Sequence, residues 1–473
     1  MSDQHPVRIG DDEVTTPDSI TVESPYDGHE IVRVPSCTSE HVDRAVAAAK
    51  ARLADPLEMW ERVEILDAAA RVVAEHQEEL ARIIAEEAAK PIVTARTEAA
   101  RAVLTWQYAA AEARTLTGEM VPLDAAEPGS GKLGFTLRVP KGVVGAISPF
   151  NFPLNLVGHK LAPALAAGCP VVLKPASQTP LSAIRLVELL MDECGLPPGW
   201  VNVVTGSGGT VGNAIVDHPD IALITFTGSP PVGWGIRQRA PRKDVNLELG
   251  NNAPVIIEPS GDWAAAAAKI RVAGFSHAGQ SCISTQRVFV HRSIVDDFTS
   301  ALVEAVATLR VGDPLDDQTD VSALISPKET ERVHDWIVEA QGAGAKVAAG
   351  GEQEGRLLQP TVLTGVAHDM KVCALEVFGP VVTVQTYSDV DDAFRLANDT
   401  RYGLQAAIFT ADLGDALKAA RTLDFGGVLV NEVPTFRTDQ MPYGGVRDSG
   451  NTKEGPHYSI REMTRERLVI LQG

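Results

Sequence analysis

From Gly142 to about Val430, short apolar runs alternate with stretches of helical periodicity, and this alternation constrains the fold more than any other feature of the chain. In the first half, residues 143–147, 171–173, 201–204, 221–226 and 245–247 read as strands. Between them, 154–167, 181–194, 211–217 and 232–240 read as helices. Apolar runs with no polar residue at every second position suit strands buried on both faces, as in a parallel sheet flanked by helices. The pattern resumes at Pro254, with strands near 255–257, 288–291, 381–387, 406–409 and 427–430. Two α/β units in tandem are therefore expected.

The remaining segments differ in character. Residues 1–24 read as a polar arm, and 39–118 carry helical periodicity over an Ala-, Arg- and Glu-rich surface. Between Gly118 and Val139, short runs are broken by Pro122, Pro128, Gly129 and Gly131, which suits a hairpin or arm. The chain closes on a strand-like tail at 467–471. At 473 residues it is too long for one core. A surplus of 62 acidic over 42 basic residues, a formal charge of −20, argues against nucleic acid or an anionic membrane as partner. The polar N-terminus does not read as a signal peptide, and no apolar stretch approaches spanning length. Five scattered cysteines (Cys37, Cys169, Cys194, Cys282, Cys373) suggest neither a disulfide framework nor a metal site. A cytoplasmic, reduced protein without a metal is expected.

Several residues stand where chemistry is done. Cys282 follows a Gly-containing joint between an Ala-rich helical run and a strand, a junction from which a side chain can be aimed into a cleft, although free cysteine also packs as a small hydrophobe. Two Gly-bearing turns, 204–210 and 226–233, each link a strand to a helix. Backbone N–H groups there suit a phosphate, or the glycines serve plain turns. Lys174 ends a strand at the carboxyl edge of the first unit, where doubly wound sheets bind nucleotides; a solvated lysine fits as well. Glu248 lies between an apolar strand and a Gly turn, where part-desolvation would raise its pKa towards that of a general base. Asn151, in Pro-Phe-Asn-Phe-Pro, offers a neutral amide to an oxyanion or caps the helix that follows.

Together these residues resemble the NAD(P)-dependent aldehyde dehydrogenase superfamily. Cys282 lies in Gly-Gln-Ser-Cys, with Glu248 in Leu-Glu-Leu-Gly thirty-four positions earlier and Asn151 in Pro-Phe-Asn-Phe-Pro. Lys174 in Leu-Lys-Pro-Ala, Phe226–Ser229 as Phe-Thr-Gly-Ser, Glu376 in Glu-Val-Phe-Gly-Pro, Asn431, and Pro442-Tyr443-Gly444-Gly445 follow in family order, from about Tyr26 to the C-terminus. The resemblance implies an aldehyde-dehydrogenase-like α/β fold: a Rossmann-related cofactor domain (1–117 and 141–249), a Rossmann-related catalytic domain (250–449), and a small β arm and tail (118–140 and 450–473) used for self-association as dimer or tetramer. It implies that Cys282 attacks the aldehyde to form a thiohemiacetal, that Asn151 and the Cys282 N–H hold the oxyanion, and that Glu248 activates water to release the acid. Retention of Glu248 argues for hydrolysis over transfer to coenzyme A. The cofactor would meet Ile147, Ser148, Pro149, Phe150, Lys174, Ser177, Gly208, Phe226, Thr227, Gly228, Ser229, Val232, Leu249, Gly250, Glu376 and Phe378.

Two departures bear on specificity. Asn251 replaces the usual second glycine after Glu-Leu-Gly. Ser177, three residues after Lys174, stands where strongly NAD-preferring members carry Glu. Serine does not repel a 2′-phosphate, so NADP is expected alongside NAD. Arg101, His159, Ser281, Phe436 and Arg437 fall at funnel positions of the family. Two arginines and a histidine there imply a short polar or anionic aldehyde: succinate semialdehyde, phosphonoacetaldehyde, lactaldehyde or glycolaldehyde. The segment 441–450 is similar to the branch that handles such compounds. A solvent-facing Arg101 is the competing view. At the level of function, the alternatives are a catalytically silent binding member of the fold and a thiol esterase.

Overall fold

The computed structural model describes residues 4–472. Two parallel sheets carry the molecule. The first has five strands in the order Asp244–Glu248, Ile221–Thr227, Val143–Ile147, Val171–Lys174, Val201–Val203, all parallel. The second has seven, in the order Lys346–Ala349, Thr361–Thr364, Val381–Tyr387, Arg287–His291, Pro254–Ile257, Gln405–Phe409, Gly427–Val430; only the first of these is antiparallel to its neighbour. The first is the sheet expected from the apolar runs; the second holds the five expected strands and two more, Lys346–Ala349 and Thr361–Thr364, and every residue of Val143–Ile147, Val171–Lys174 and Gln405–Phe409 is buried. The strand-like tail is longer than the sequence suggests. Thr464–Gln472 pairs antiparallel with Lys132–Pro140, which also pairs with Met120–Val121.

The helical stretch before the first sheet resolves into Ser39–Ala54, Met59–Glu75, Gln77–Ala88 and Ile92–Thr115. Their buried faces join the core of the first sheet, where Ala45, Ala49, Ala69, Ala95, Ala99 and Ala109 are all fully buried. Small side chains there let backbones approach closely, which explains an alanine-rich sequence that also looks helical from outside. Among the described residues, no helix is long and apolar enough to cross a membrane.

One expectation fails. The polar arm expected at 1–24 is, over its described residues 4–24, folded into hairpins: Val7–Ile9 pairs with Asp12–Val14, and Ser19–Glu23 pairs with Glu30–Pro35. Val7, Ile9, Val14 and Val22 point inward at alternate positions and are buried, while the acidic residues between them face solvent. Period-two burial in strands this short leaves too few apolar residues to stand out from a polar background. Gly10 N–H donates to Asn202 Oδ1 (2.8 Å), which fixes this hairpin to the edge strand of the first sheet.

Where the sheets meet, the strand Asp244–Glu248 runs into the segment 249–253 and then directly into Pro254–Ile257 of the second sheet. This crossing is secured from both sides. Leu249 N–H donates to Ser449 O (3.0 Å), Ser449 Oγ donates to Gly250 O (2.6 Å), and Asn451 Oδ1 accepts from Leu247 N–H (2.9 Å). Arg287, fully buried, donates from Nε to Asn252 O (2.9 Å) and from Nη2 to Ala397 O (2.9 Å), tying the crossing to the C-terminal end of the helix Val390–Asn398. Removing the guanidinium leaves these carbonyls buried without donors. Arg287→Ala is expected to cost about 3 kcal/mol on the scale of charged hydrogen bonds, read as a lower denaturant midpoint; an unchanged midpoint would contradict this account.

Candidate active site

Cys282 is presented by a turn that few residues can adopt. Ser276–Gly279 ends with His277, Ala278 and Gly279 at φ of 51°, 52° and 69°. Two non-glycine residues in the left-handed region each cost about 1–2 kcal/mol, so surrounding packing must hold them there. At Gly279 a Cβ would lie 2.1 Å from Gly379 O, so the chain can pass only without a side chain. Gln280 then bonds back on itself and forward, with its Oε1 accepting from Ile325 N–H (2.9 Å), and Ser281-Cys282 emerge at the floor of a cleft.

Two cavities meet at this point. One is lined by Arg101, Phe152, Asn155, Ser276, Ser281, Arg437 and Tyr443, among others. The other is lined by Pro149, Phe150, Asn151, Gly228, Ser229, Gly250, Glu376 and Phe378. Thr227, Leu156, Leu249, Glu248 and Cys282 belong to both. A thiol and a carboxylate thus sit at the waist between two approaches.

Burial dominates their chemistry. Both oxygens of Glu248 are buried without a hydrogen-bond partner, and burial, then the negative charge of Glu454, pushes its carboxyl well above the usual range. A Cβ at Gly444 would lie 2.7 Å from Glu248 Oε1, so glycine there leaves room for the carboxyl. Burial likewise pushes the Cys282 thiol up to about 12, although Tyr443 works against this. Burial would raise Glu454 too, but Arg437, bonded to it at 2.7 Å, His159 and Lys160 hold it down to about 2. Asn151 Nδ2 donates to Gln280 O (2.9 Å), which leaves its second N–H unspent at the cavity that Cys282 also lines.

On the second approach, the Phe226 ring lies under Gly228, where a Cβ would come within 2.6 Å of it, and Ser229 is the N-cap of the helix Pro230–Arg239. Gly250 leaves space for Glu376, whose Oε1 accepts from Asn251 N–H (2.9 Å); burial raises Glu376 to about 7. Asn251 itself ties into the second sheet, donating from Nδ2 to Gln405 O (3.2 Å). Ser148 Oγ is buried and unpartnered. Ile147 ends its strand and is buried. Further out, burial lowers Lys174 to about 8, and Ser177 Oγ donates to Gly206 O (2.9 Å). Gly208 opens a wide helical turn capped by Ser207, and Val232 is exposed on the first turn of its helix. Such a surface fits a dinucleotide: glycines for close approach, a helix N-terminus for phosphate, and a carboxylate for ribose hydroxyls.

The funnel positions divide. Arg101 and Arg437 line the first cavity, and Ser281 joins them. His159 does not: it is fully buried behind them, with Nε2 2.9 Å from Asp439 Oδ1, and burial with neighbouring Arg437 holds it below the usual imidazole range. Phe436 does not either. It is 50% exposed, while Thr435 and Arg437 on either side face the cavity, as neighbouring side chains alternate in a non-helical segment. Arg101 donates from Nη2 to Asp439 Oδ1 (2.8 Å), so it is neither free in solvent nor without a counter-ion.

Sequence reasoning gave no role to Tyr443, Lys160, Glu454 or Asp439. Tyr443 OH lies 2.9 Å from Cys282 Sγ, and Lys160 Nζ donates to Thr227 Oγ1 (2.7 Å) beside the waist. Among them Lys160 gave a signal, a lysine within the largely apolar helix Asn155–Ala167.

These features suit an enzyme with a thiol beside a dinucleotide slot. The chain belongs to the aldehyde dehydrogenase family, whose model matches residues 13–469, and it oxidises an aldehyde with NAD or NADP. It is 46% identical to 3-sulfolactaldehyde dehydrogenase of Priestia aryabhattai, over 99% of this chain and 98% of that one. Aldehyde dehydrogenase 21 of Physcomitrella patens, solved with its reaction product succinate, superposes with a TM-score of 0.96 at 36% identity, covering 100% and 99% of the two chains. NADP-dependent glyceraldehyde-3-phosphate dehydrogenase of Bacillus halodurans C-125, solved with NADP, matches equally at 0.96 and 36%, covering 99% of each.

Proposed function

We propose that this protein converts a short aldehyde with an anionic tail to its acid through a thioester on Cys282. The observation that carries this reading is the pair Cys282 and Glu248 at the waist shared by the two cavities. Cys282 as thiolate adds to the aldehyde carbon from the funnel side. The second N–H of Asn151 and the Cys282 backbone N–H stabilise the oxyanion. Ser229 at the helix N-terminus and Glu376 would hold the dinucleotide, which when bound would supply the hydride acceptor. Water then attacks the thioester and Glu248 takes its proton. A carboxylate whose affinity for protons is raised by burial is the stronger base for this.

The rise in Glu248 sets the pH dependence. The carboxyl must be ionised to accept the proton, so turnover increases with pH, with an acid limb above the ordinary carboxylate range. Glu248→Gln is expected to lower kcat by about 10²–10⁴ while one equivalent of reduced cofactor still forms in a rapid-mixing experiment. Steady-state turnover close to that of the unchanged protein would sink the assignment.

An anionic tail is supported by Arg101 and Arg437 together with the hydroxyls of Thr94, Ser276, Ser281 and Thr435 around the same cavity. Asp439 holds Arg101 by Nε and Nη2, which orients the remaining guanidinium edge. The three relatives act on, or were solved with, compounds carrying a sulfonate, a carboxylate or a phosphate, and a three-carbon 2-hydroxy-3-sulfo aldehyde leads the proposal. Succinate semialdehyde follows it, then phosphonoacetaldehyde, with lactaldehyde and glycolaldehyde last because they lack the charge. Arg101→Ala should lower kcat/KM for sulfolactaldehyde at least tenfold, about 1.4 kcal/mol, and leave propanal nearly unaffected; an equal loss for both would remove the anion from the proposal.

Ser177 leaves the ribose 2′ position without a carboxylate, so NADP is proposed to serve alongside NAD. Comparing kcat/KM for the two cofactors checks this, and use of NAD alone would contradict it. The sheet of Lys132–Pro140 and Thr464–Gln472 exposes Leu133, Leu137, Leu468 and Ile470, which supports self-association through that arm. The division into 1–117 with 141–249, 250–449, and 118–140 with 450–473 is proposed on the same grounds, each sheet having its own core.

A further inference from the structure

We propose that the Tyr443 hydroxyl is the hydrogen-bond donor that holds the Cys282 sulfur as a thiolate and sets its line of attack. The inference rests on the reading of Cys282 as nucleophile and adds a residue that reading does not need. Tyr443 OH lies 2.9 Å from Sγ, and the sulfur is the only hydrogen-bond partner the hydroxyl has among the described residues. Sulfur in a thiol is a weak acceptor, so a buried phenol facing a neutral S–H is left poorly satisfied. Facing a thiolate, it makes a charge-assisted bond instead.

Packing alone does not require this hydroxyl. The ring sits in a small apolar cluster with Ile283 and Leu404, flanked by Met441, where phenylalanine would serve as well. Its backbone is fixed by Tyr443 N–H donating to Glu454 O (3.0 Å), with Glu454 N–H returning a bond to Tyr443 O. A Cβ at the next residue, Gly444, would lie 2.0 Å from Thr452 O, so the chain is pressed against its neighbour there. The Arg437 guanidinium lies 3.8 Å from the ring centroid and is itself anchored to Glu454 at 2.7 Å. A cation on the face of a phenol draws electron density from the ring and makes its O–H a better donor. Glu454, Arg437, Tyr443 and Cys282 therefore form one chain of fixed contacts that ends on the reacting sulfur.

The sulfur has no other such help. The charged groups that act on it are Glu376, Glu248 and Arg437, and of these only Arg437 favours the thiolate. Among the described residues, no histidine or lysine is hydrogen-bonded to Sγ. Burial works against ionisation, and among the described residues Tyr443 is the one side chain hydrogen-bonded to Sγ. In this role Tyr443 also receives the sulfur when the thioester is hydrolysed. Water adds to the carbonyl carbon, the C–S bond breaks, and its electron pair returns to Sγ facing the same O–H.

The experiment is alkylation of the full-length protein by iodoacetamide between pH 6 and 10, read by mass spectrometry on the Cys282 peptide, for the unchanged protein and for Tyr443→Phe. The other four cysteines are buried, so the readout is confined to one site. Tyr443→Phe is expected to move the titration to higher pH by about one unit, slowing alkylation about tenfold at pH 7.5, with kcat/KM falling in step. The dissociation constant for NADP and the melting temperature should stay as they were, since the aromatic packing is kept. Alkylation of Tyr443→Phe at the unchanged rate across the whole range would overturn the proposal. Cys282→Ala separates the two claims. If it still oxidises aldehydes, the reading of the nucleophile fails and takes this inference with it; if it is dead while the Tyr443→Phe profile is unchanged, only the role of Tyr443 falls.

Discussion

Desolvation of Cys282 and Glu248 is the constraint around which the rest of the molecule is arranged. Each is placed where desolvation disfavours its charged form; the Glu248 oxygens have no hydrogen-bond partner, and the Cys282 sulfur has the Tyr443 hydroxyl. A charged group buried without partners is costly, and burial raises the proton affinity of both groups. The cost is carried by the architecture: left-handed residues before the cysteine, and glycines at 250, 279 and 444 where any Cβ would strike a neighbour.

Around that pair, the ionic groups are set in a graded order. Arg437 and Glu454 are paired at 2.7 Å, His159 and Arg101 hold Asp439 below the usual carboxylate range, and burial lowers His159. The effect is that the funnel offers positive edges without a bare field of cations. Arg101 is presented to the cavity by Asp439, and Arg437 by Glu454, so both are oriented before anything binds. An anionic group entering there would find guanidinium groups whose entropy has already been spent on internal partners.

The legible part of the chain was the part in which one residue type does one physical job. Strands buried on both faces must be apolar throughout, so both sheets could be placed from runs of Val, Ile, Leu and Ala, including Val143–Ile147 and Val381–Tyr387. Cys282, Glu248 and Asn151 stood out because each lies at the end of such an element within a short motif. The N-terminal hairpins did not, since Val7, Ile9 and Val14 are three apolar residues among acidic ones and only their alternation marks them. Tyr443 lay within a quoted motif, but its hydroxyl has meaning only through a sulfur 161 positions away in sequence.

From the amino acids alone follow the class of fold, the aldehyde dehydrogenase motifs and the identity of the thiol, carboxylate and amide. These are local properties, set by hydrophobic period and by short spacings. What only the tertiary structure decided is which of them share a space. It put His159 and Phe436 outside the funnel and kept Arg101 inside it, and it gave each arginine a carboxylate partner. It also brought Tyr443 against Cys282. The physical reason is that burial, and with it every shifted proton affinity at the site, depends on contacts between residues far apart in the chain, which no local pattern encodes.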